Sequence, residues 1–110
     1  MQTSFACDMS ASTAEQREAH LRNLQALFGA VEHISELASG YTFTLPATPA
    51  LLRRAAEFIA LERLCCPFFN FRLELPAGSS VFGLSVTGSE GIQPFLQAEF
   101  GSVLPAGVSF

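Results

Sequence analysis

Charge is what this 110-residue chain has least of: 15% of its residues are charged, against roughly 25% in an average soluble domain. Only six are basic, and the net charge is −4. Binding DNA or RNA requires a basic stripe to neutralise phosphates, and six scattered arginines form none, so no nucleic-acid partner is expected. Long hydrophobic runs are also missing. No stretch approaches the ~20 apolar residues of a membrane span, and residues 1–12 show no positive region followed by an apolar run. The expectation is a cytoplasmic protein with no membrane partner. Also lacking are a glycine-rich phosphate loop, a Gly-x-Ser-x-Gly elbow and a His-Glu-x-x-His pair, which removes the mechanical core of nucleotide-binding, esterase and zincin readings and leaves no organic cofactor to expect.

Cysteine is scarce and odd in number: three, at positions 7, 65 and 66. A secreted domain stapled by disulfides normally carries an even set, so reduced thiols are the default expectation. Cys65 and Cys66 are poorly placed to bridge each other. Adjacent Cα atoms lie ~3.8 Å apart, whereas a relaxed disulfide wants ~5.5–6 Å. Both are expected to be free unless Cys7 comes within reach of one.

What the chain does have is apolar material. Hydrophobic residues make up 49% and eleven are phenylalanine, enough for one well-packed core in a single domain spanning residues 1–110. The apolar excess over surface charge points to a homo-oligomer, most simply a dimer.

Periodicity predicts the order βαββαββα. Ser4 to Met9 alternates as a short first strand. Ser12 to Glu15 reads as a capping box opening a helix with Leu21, Leu24, Leu27 and Phe28 on one stripe, ended by Gly29. Val31 to Leu37 and Tyr41 to Leu45 form a hairpin turned at Ser39-Gly40, with Gly40 supplying a positive φ. Thr48-Pro49 starts a second helix, which runs to about Cys66 before Pro67. Phe68 to Leu75 and Val81 to Thr87 are strands, and the last helix carries Ile92, Phe95, Leu96 and Phe100. The predicted class is α+β: a single-domain sandwich, a mainly antiparallel sheet with helices on one face.

Chemistry concentrates in the second helix. On a wheel, Leu52, Ala55, Ile59 and Cys66 share a side, with Glu62 among them. A carboxylate in an apolar stripe must find a partner or a proton, and Arg17, Arg63 and Arg72 are candidate partners. Glu62 lies one turn before both cysteines, so it can share a face with a thiol. Cys7, Glu62, Cys65 and Cys66 therefore compose a candidate metal set for a thiophilic ion such as zinc, copper or mercury. Of the two histidines, His20, on the edge of the first helix's stripe, is the better further ligand, and His33 reads as a boundary residue. The bland alternative is that the cysteines are core hydrophobes, as free cysteines commonly are. In that case the protein is a non-catalytic dimeric interaction domain. A third reading is a thiol-dependent enzyme, and the absence of a CxxC pattern counts against it.

The pieces Gly40-Tyr41, Leu45-Pro46, Glu62-Arg63-Leu64-Cys65-Cys66-Pro67-Phe68, Phe71-Arg72-Leu73-Glu74-Leu75 and Thr87-Gly88-Ser89-Glu90-Gly91, with Phe5-Ala6-Cys7-Asp8 before them, resemble a family of small uncharacterised bacterial proteins marked by Glu-x-x-Cys-Cys-Pro-Phe. That resemblance carries no reaction with it. The sequence alone thus favours cysteine-thiolate binding of a thiophilic ion, in sensing, sequestration or tolerance.

Overall fold

The structure, a computed structural model, describes residues 12–110. The expected first strand and Cys7 lie outside the described residues. Within them the order is α1 (Ala14–Phe28), β1 (His33–Leu37), β2 (Gly40–Pro46), α2 (Pro49–Cys65), β3 (Asn70–Glu74), β4 (Val81–Thr87) and α3 (Ile92–Phe100), followed by a 3₁₀ turn at Gly101–Val103. The strands form one antiparallel sheet in the order β1-β2-β4-β3. Exchanging β1 with β3 and β2 with β4 returns the same order reversed, so the two αββ halves meet symmetrically along the β2–β4 seam. The α+β class expected from the pattern is the one observed.

Strand alternation sorts the sheet into a buried and a polar face. Tyr41, Phe43 and Leu45 of β2 pair with Val86, Leu84 and Phe82 of β4, and all six are buried. The opposite face carries Thr42 and Ser85, whose hydroxyl oxygens lie 2.8 Å apart. On the buried side the phenylalanines interlock. Phe28 stacks on Phe100 at 4.6 Å between ring centroids and meets Phe43 and Phe58 edge-on, so one ring from α1 joins β2, α2 and α3.

Several boundaries differ from expectation. The capping box sits one residue later than Ser12 to Glu15: the Thr13 hydroxyl accepts from the Gln16 N–H at 3.1 Å, and Gln16 Oε1 accepts from the Thr13 N–H at 2.8 Å. Thr-x-x-Gln satisfies the same motif. α1 then buries Leu24, Leu27 and Phe28 and leaves Leu21 outside at 52% exposure. The hairpin turn is Ala38-Ser39, because Gly40 already pairs with Leu37. Gly40 has no positive φ. It must be glycine because a Cβ there would stand 2.0 Å from the Val86 carbonyl oxygen across the seam. β3 is shorter than Phe68 to Leu75: its pairing ends at Glu74 with Gly83, and Leu75, beyond the last pair and before Pro76, is exposed. Among the described residues no helix is long and apolar enough to cross a membrane.

Candidate functional site

α2 delivers the central residues. Thr48 caps it, its hydroxyl accepting from the Leu51 N–H at 3.1 Å, with Pro49 at the first helical position. The helix buries Ala55, Phe58, Glu62 and Cys65, a stripe advancing by three or four residues. The wheel omitted Phe58 and assigned the stripe's end to Cys66. The correction lies at the terminus: Pro67 pushes Cys66 out of helical geometry, to φ −125° and ψ 73°, so Cys66 no longer follows the 100° step. Its N–H still donates to the Glu62 carbonyl at 2.7 Å. Both cysteines are consequently buried, Cys65 along the helix stripe and Cys66 by the turn after it.

Glu62 is 4% exposed and organises what surrounds it. Its Oε2 lies 2.6 Å from His20 Nε2, so the partner is the histidine of α1, not one of the three arginines considered. Its Oε1 lies 3.2 Å from Cys66 Sγ. The imidazole stacks on Phe58, centroids 5.7 Å apart and planes 16° off parallel, which fixes the ring. α1 is registered against α2 by Asn23, whose side chain donates to the Arg54 carbonyl at 3.0 Å and accepts from Arg54 Nη1 at 3.1 Å.

The tautomer follows from His20 Nδ1, which is buried without a hydrogen-bond partner. A neutral ring donating from Nε2 to Glu62 leaves an orphan acceptor. An imidazolium would leave an orphan charged donor, the more costly omission. The consistent state is a neutral His20 donating to a Glu62 carboxylate whose second oxygen faces sulfur.

Cys66 is disulfide-bonded and Cys65 is free. The expectation of reduced thiols therefore holds for Cys65 and fails for Cys66. The two do not bridge each other, in keeping with the spacing argument. In the disulfide the Cys66 sulfur carries no proton, so its 3.2 Å approach to Oε1 is a contact. On reduction the same geometry becomes an S–H···O hydrogen bond.

These groups wall a cavity of about 410 Å³. Leu21, Leu24 and Leu61 supply apolar wall, and His20, Glu62, Cys65, Cys66 and Glu99 supply polar atoms. The site residues anticipated within the described part of the chain thus come together in one place. His33 lies apart, exposed on β1. Glu99 was not anticipated. It sits at the exposed rim, brought in by α3, and nothing in its local sequence separates it from an ordinary helix-edge glutamate. Partial burial, and then the Glu62 carboxylate, raise its pKa above the usual carboxylate value. Among the described residues no three His, Cys, Asp or Glu side chains are arranged to hold a metal ion. The arrangement does suit thiol chemistry: a sulfur beside a carboxylate that is itself oriented by a histidine. Compared with family models, curated proteins and solved structures, the chain matches none.

Proposed function

We propose that the protein carries out thiol–disulfide exchange at Cys66, with Glu62 as the proton carrier and His20 as the group that orients it. The observation that carries this reading is the chain Cys66 Sγ, Glu62, His20, with separations of 3.2 and 2.6 Å at the two carboxylate oxygens, on the wall of a cavity. A thiolate from a small thiol attacks the sulfur bonded to Cys66. That S–S bond breaks, the electron pair leaves on Cys66 Sγ, and the Glu62 carboxylate hands it the proton that it took from the incoming small thiol. A second small thiol discharges the mixed disulfide. Two thiols are oxidised to one small disulfide as the protein takes up two electrons and two protons. In the reverse direction Glu62 takes the Cys66 proton and frees the thiolate, as a general base must from hydrogen-bond reach.

The test follows fully reduced protein reacting with a small neutral disulfide at pH 7, with peptide mass mapping of the modified cysteine. Glu62→Gln keeps the shape and the hydrogen bond to His20 but cannot take a proton. A folded Glu62→Gln protein should react at Cys66 about 100-fold more slowly or worse, the usual size of a general-base contribution. Equal rates in the two proteins would overturn the proposal.

A second reading, thiophilic-ion binding, has one observation in its favour: Cys65 and Cys66 line the same cavity as Glu62 and His20. After reduction, two sulfurs border a space where a soft ion such as copper(I) or mercury(II) could sit. Anaerobic titration of reduced protein separates the two. Tight uptake lost in both Cys65→Ser and Cys66→Ser favours the ion, and uptake no tighter than in the double variant removes it.

A further inference from the structure

The cavity's walls bear on which small thiol or disulfide it accepts. Glu62, Glu99 and Glu18 line it, with Arg17 on the same wall; Glu18 is exposed and pairs with Arg22 at 3.9 Å, so Glu62 and Glu99 carry the local charge. Arg17 Nη1 donates to the Ser12 carbonyl at 2.8 Å, which directs part of its guanidinium to the backbone. The Glu62 and Glu99 carboxylates feel each other, since Glu62 contributes to the raised pKa of Glu99. Of the side chains with buried polar atoms lacking a hydrogen-bond partner, Ser12 and His20 both belong to this wall, so polar satisfaction is incomplete among the described residues where a ligand would lie. A volume near 410 Å³ is at the small end of ligand pockets.

We infer that Cys66 exchanges with small cationic aminothiols and their disulfides, and that the acidic wall discriminates against anionic thiols. This rests on the thiol–disulfide reading of the site. Carboxylates gathered along one cleft raise the local concentration of cations and exclude anions, while Leu21, Leu24 and Leu61 offer apolar surface to the short carbon chain. In the step itself the Cys66 thiolate attacks one sulfur of the oxidised aminothiol. The ligand's S–S bond breaks and a Cys66–ligand mixed disulfide forms. The departing aminothiolate takes the proton that Cys66 gave to Glu62.

The experiment uses the reduced full chain and three symmetrical disulfides of similar size: cystamine (cationic), hydroxyethyl disulfide (neutral) and dithiodipropionate (anionic). Each rate at Cys66, followed by peptide mass mapping, is divided by that of a free cysteine derivative with the same reagent. The expected order is cationic, neutral, anionic, with roughly tenfold or more between the ends. The spread should narrow in Glu99→Gln and collapse in 1 M salt, where screening acts over ~3 Å. Equal normalised rates with a reactive Cys66 would overturn the charge selectivity alone. A Cys66 that none of the three modifies would overturn the thiol–disulfide reading on which it rests.

Discussion

At the scale of single residues, the fold tolerates two side-chain choices that make sense only with their neighbours in view. Glu62 is a buried carboxylate, and the cost of burying it is offset by hydrogen-bonding capacity: Oε2 takes the His20 N–H, and Oε1 is positioned for a thiol. Removing the imidazole would leave an uncompensated buried charge. Gly40 is the other case. In the β2–β4 seam its missing Cβ allows the Val86 carbonyl to approach. Gly40→Ala places a methyl group 2.0 Å from that oxygen, so backbone has to move in the centre of the sheet. The expected loss is about 2 kcal/mol or more in urea unfolding, the range of forced overpacking. A loss below about 0.5 kcal/mol, typical of a surface substitution, would show that the seam opens freely and that the steric account is wrong.

At the scale of elements, helix starts were legible as chemistry and ambiguous in frame. Ser12-x-x-Glu15 and Thr13-x-x-Gln16 overlap, and the sequence offers no local reason to prefer one. The structure takes the later frame, Thr13 to Gln16, and the helix buries Leu24, Leu27 and Phe28. Thr13→Ala should cost about 1 kcal/mol by denaturant unfolding, the usual worth of an N-cap. Ser12→Ala should be close to neutral, since its buried hydroxyl has no hydrogen-bond partner to lose. A larger loss at Ser12 than at Thr13 would reverse the frame. The same contrast separates what could be read in the candidate site from what could not. Glu62 announced itself as a charge in an apolar stripe, and Cys66 as a thiol one turn on along that stripe. The stripe's true line through Phe58 and Cys65 stayed hidden, because Leu52 and Ile59 offer an apolar flank on the other side of Ala55 at the same 100° step, and only packing chooses between the two. His20 was visible as an edge histidine, but its pairing with Glu62 spans 42 residues and depends on how α1 crosses α2. Glu99 depends on α3 docking beside both, an arrangement no local pattern encodes.

At the scale of the whole molecule, α1 brings Glu18 and His20, α2 Glu62 and α3 Glu99 to a common cavity, so folding itself forces Glu62 and Glu99 together. That proximity links stability to pH. Glu99 has a folded-state pKa raised above the usual carboxylate value, by partial burial first and the Glu62 charge second. For an acid shifted upward, the protonated form is the one the fold favours. Its contribution is fully present below the unfolded pKa and is lost as pH rises through the higher folded value. Glu99→Gln, which cannot ionise, escapes that loss. The stability of Glu99→Gln relative to the parent, measured by denaturant unfolding of the disulfide form, should therefore grow as pH rises from about 4 through the neutral range, and then level off. The change should be modest, because the rim is exposed to solvent and screening weakens the interaction. Placing the same substitution in Glu62→Gln dissects the cause: the pH-dependent part should shrink without vanishing, leaving the share due to burial. If the stability difference between Glu99→Gln and the parent were flat from pH 4 to 8, Glu99 would titrate like a surface carboxylate. The shared acidic wall, on which the preference for cationic thiols depends, would then lose its support.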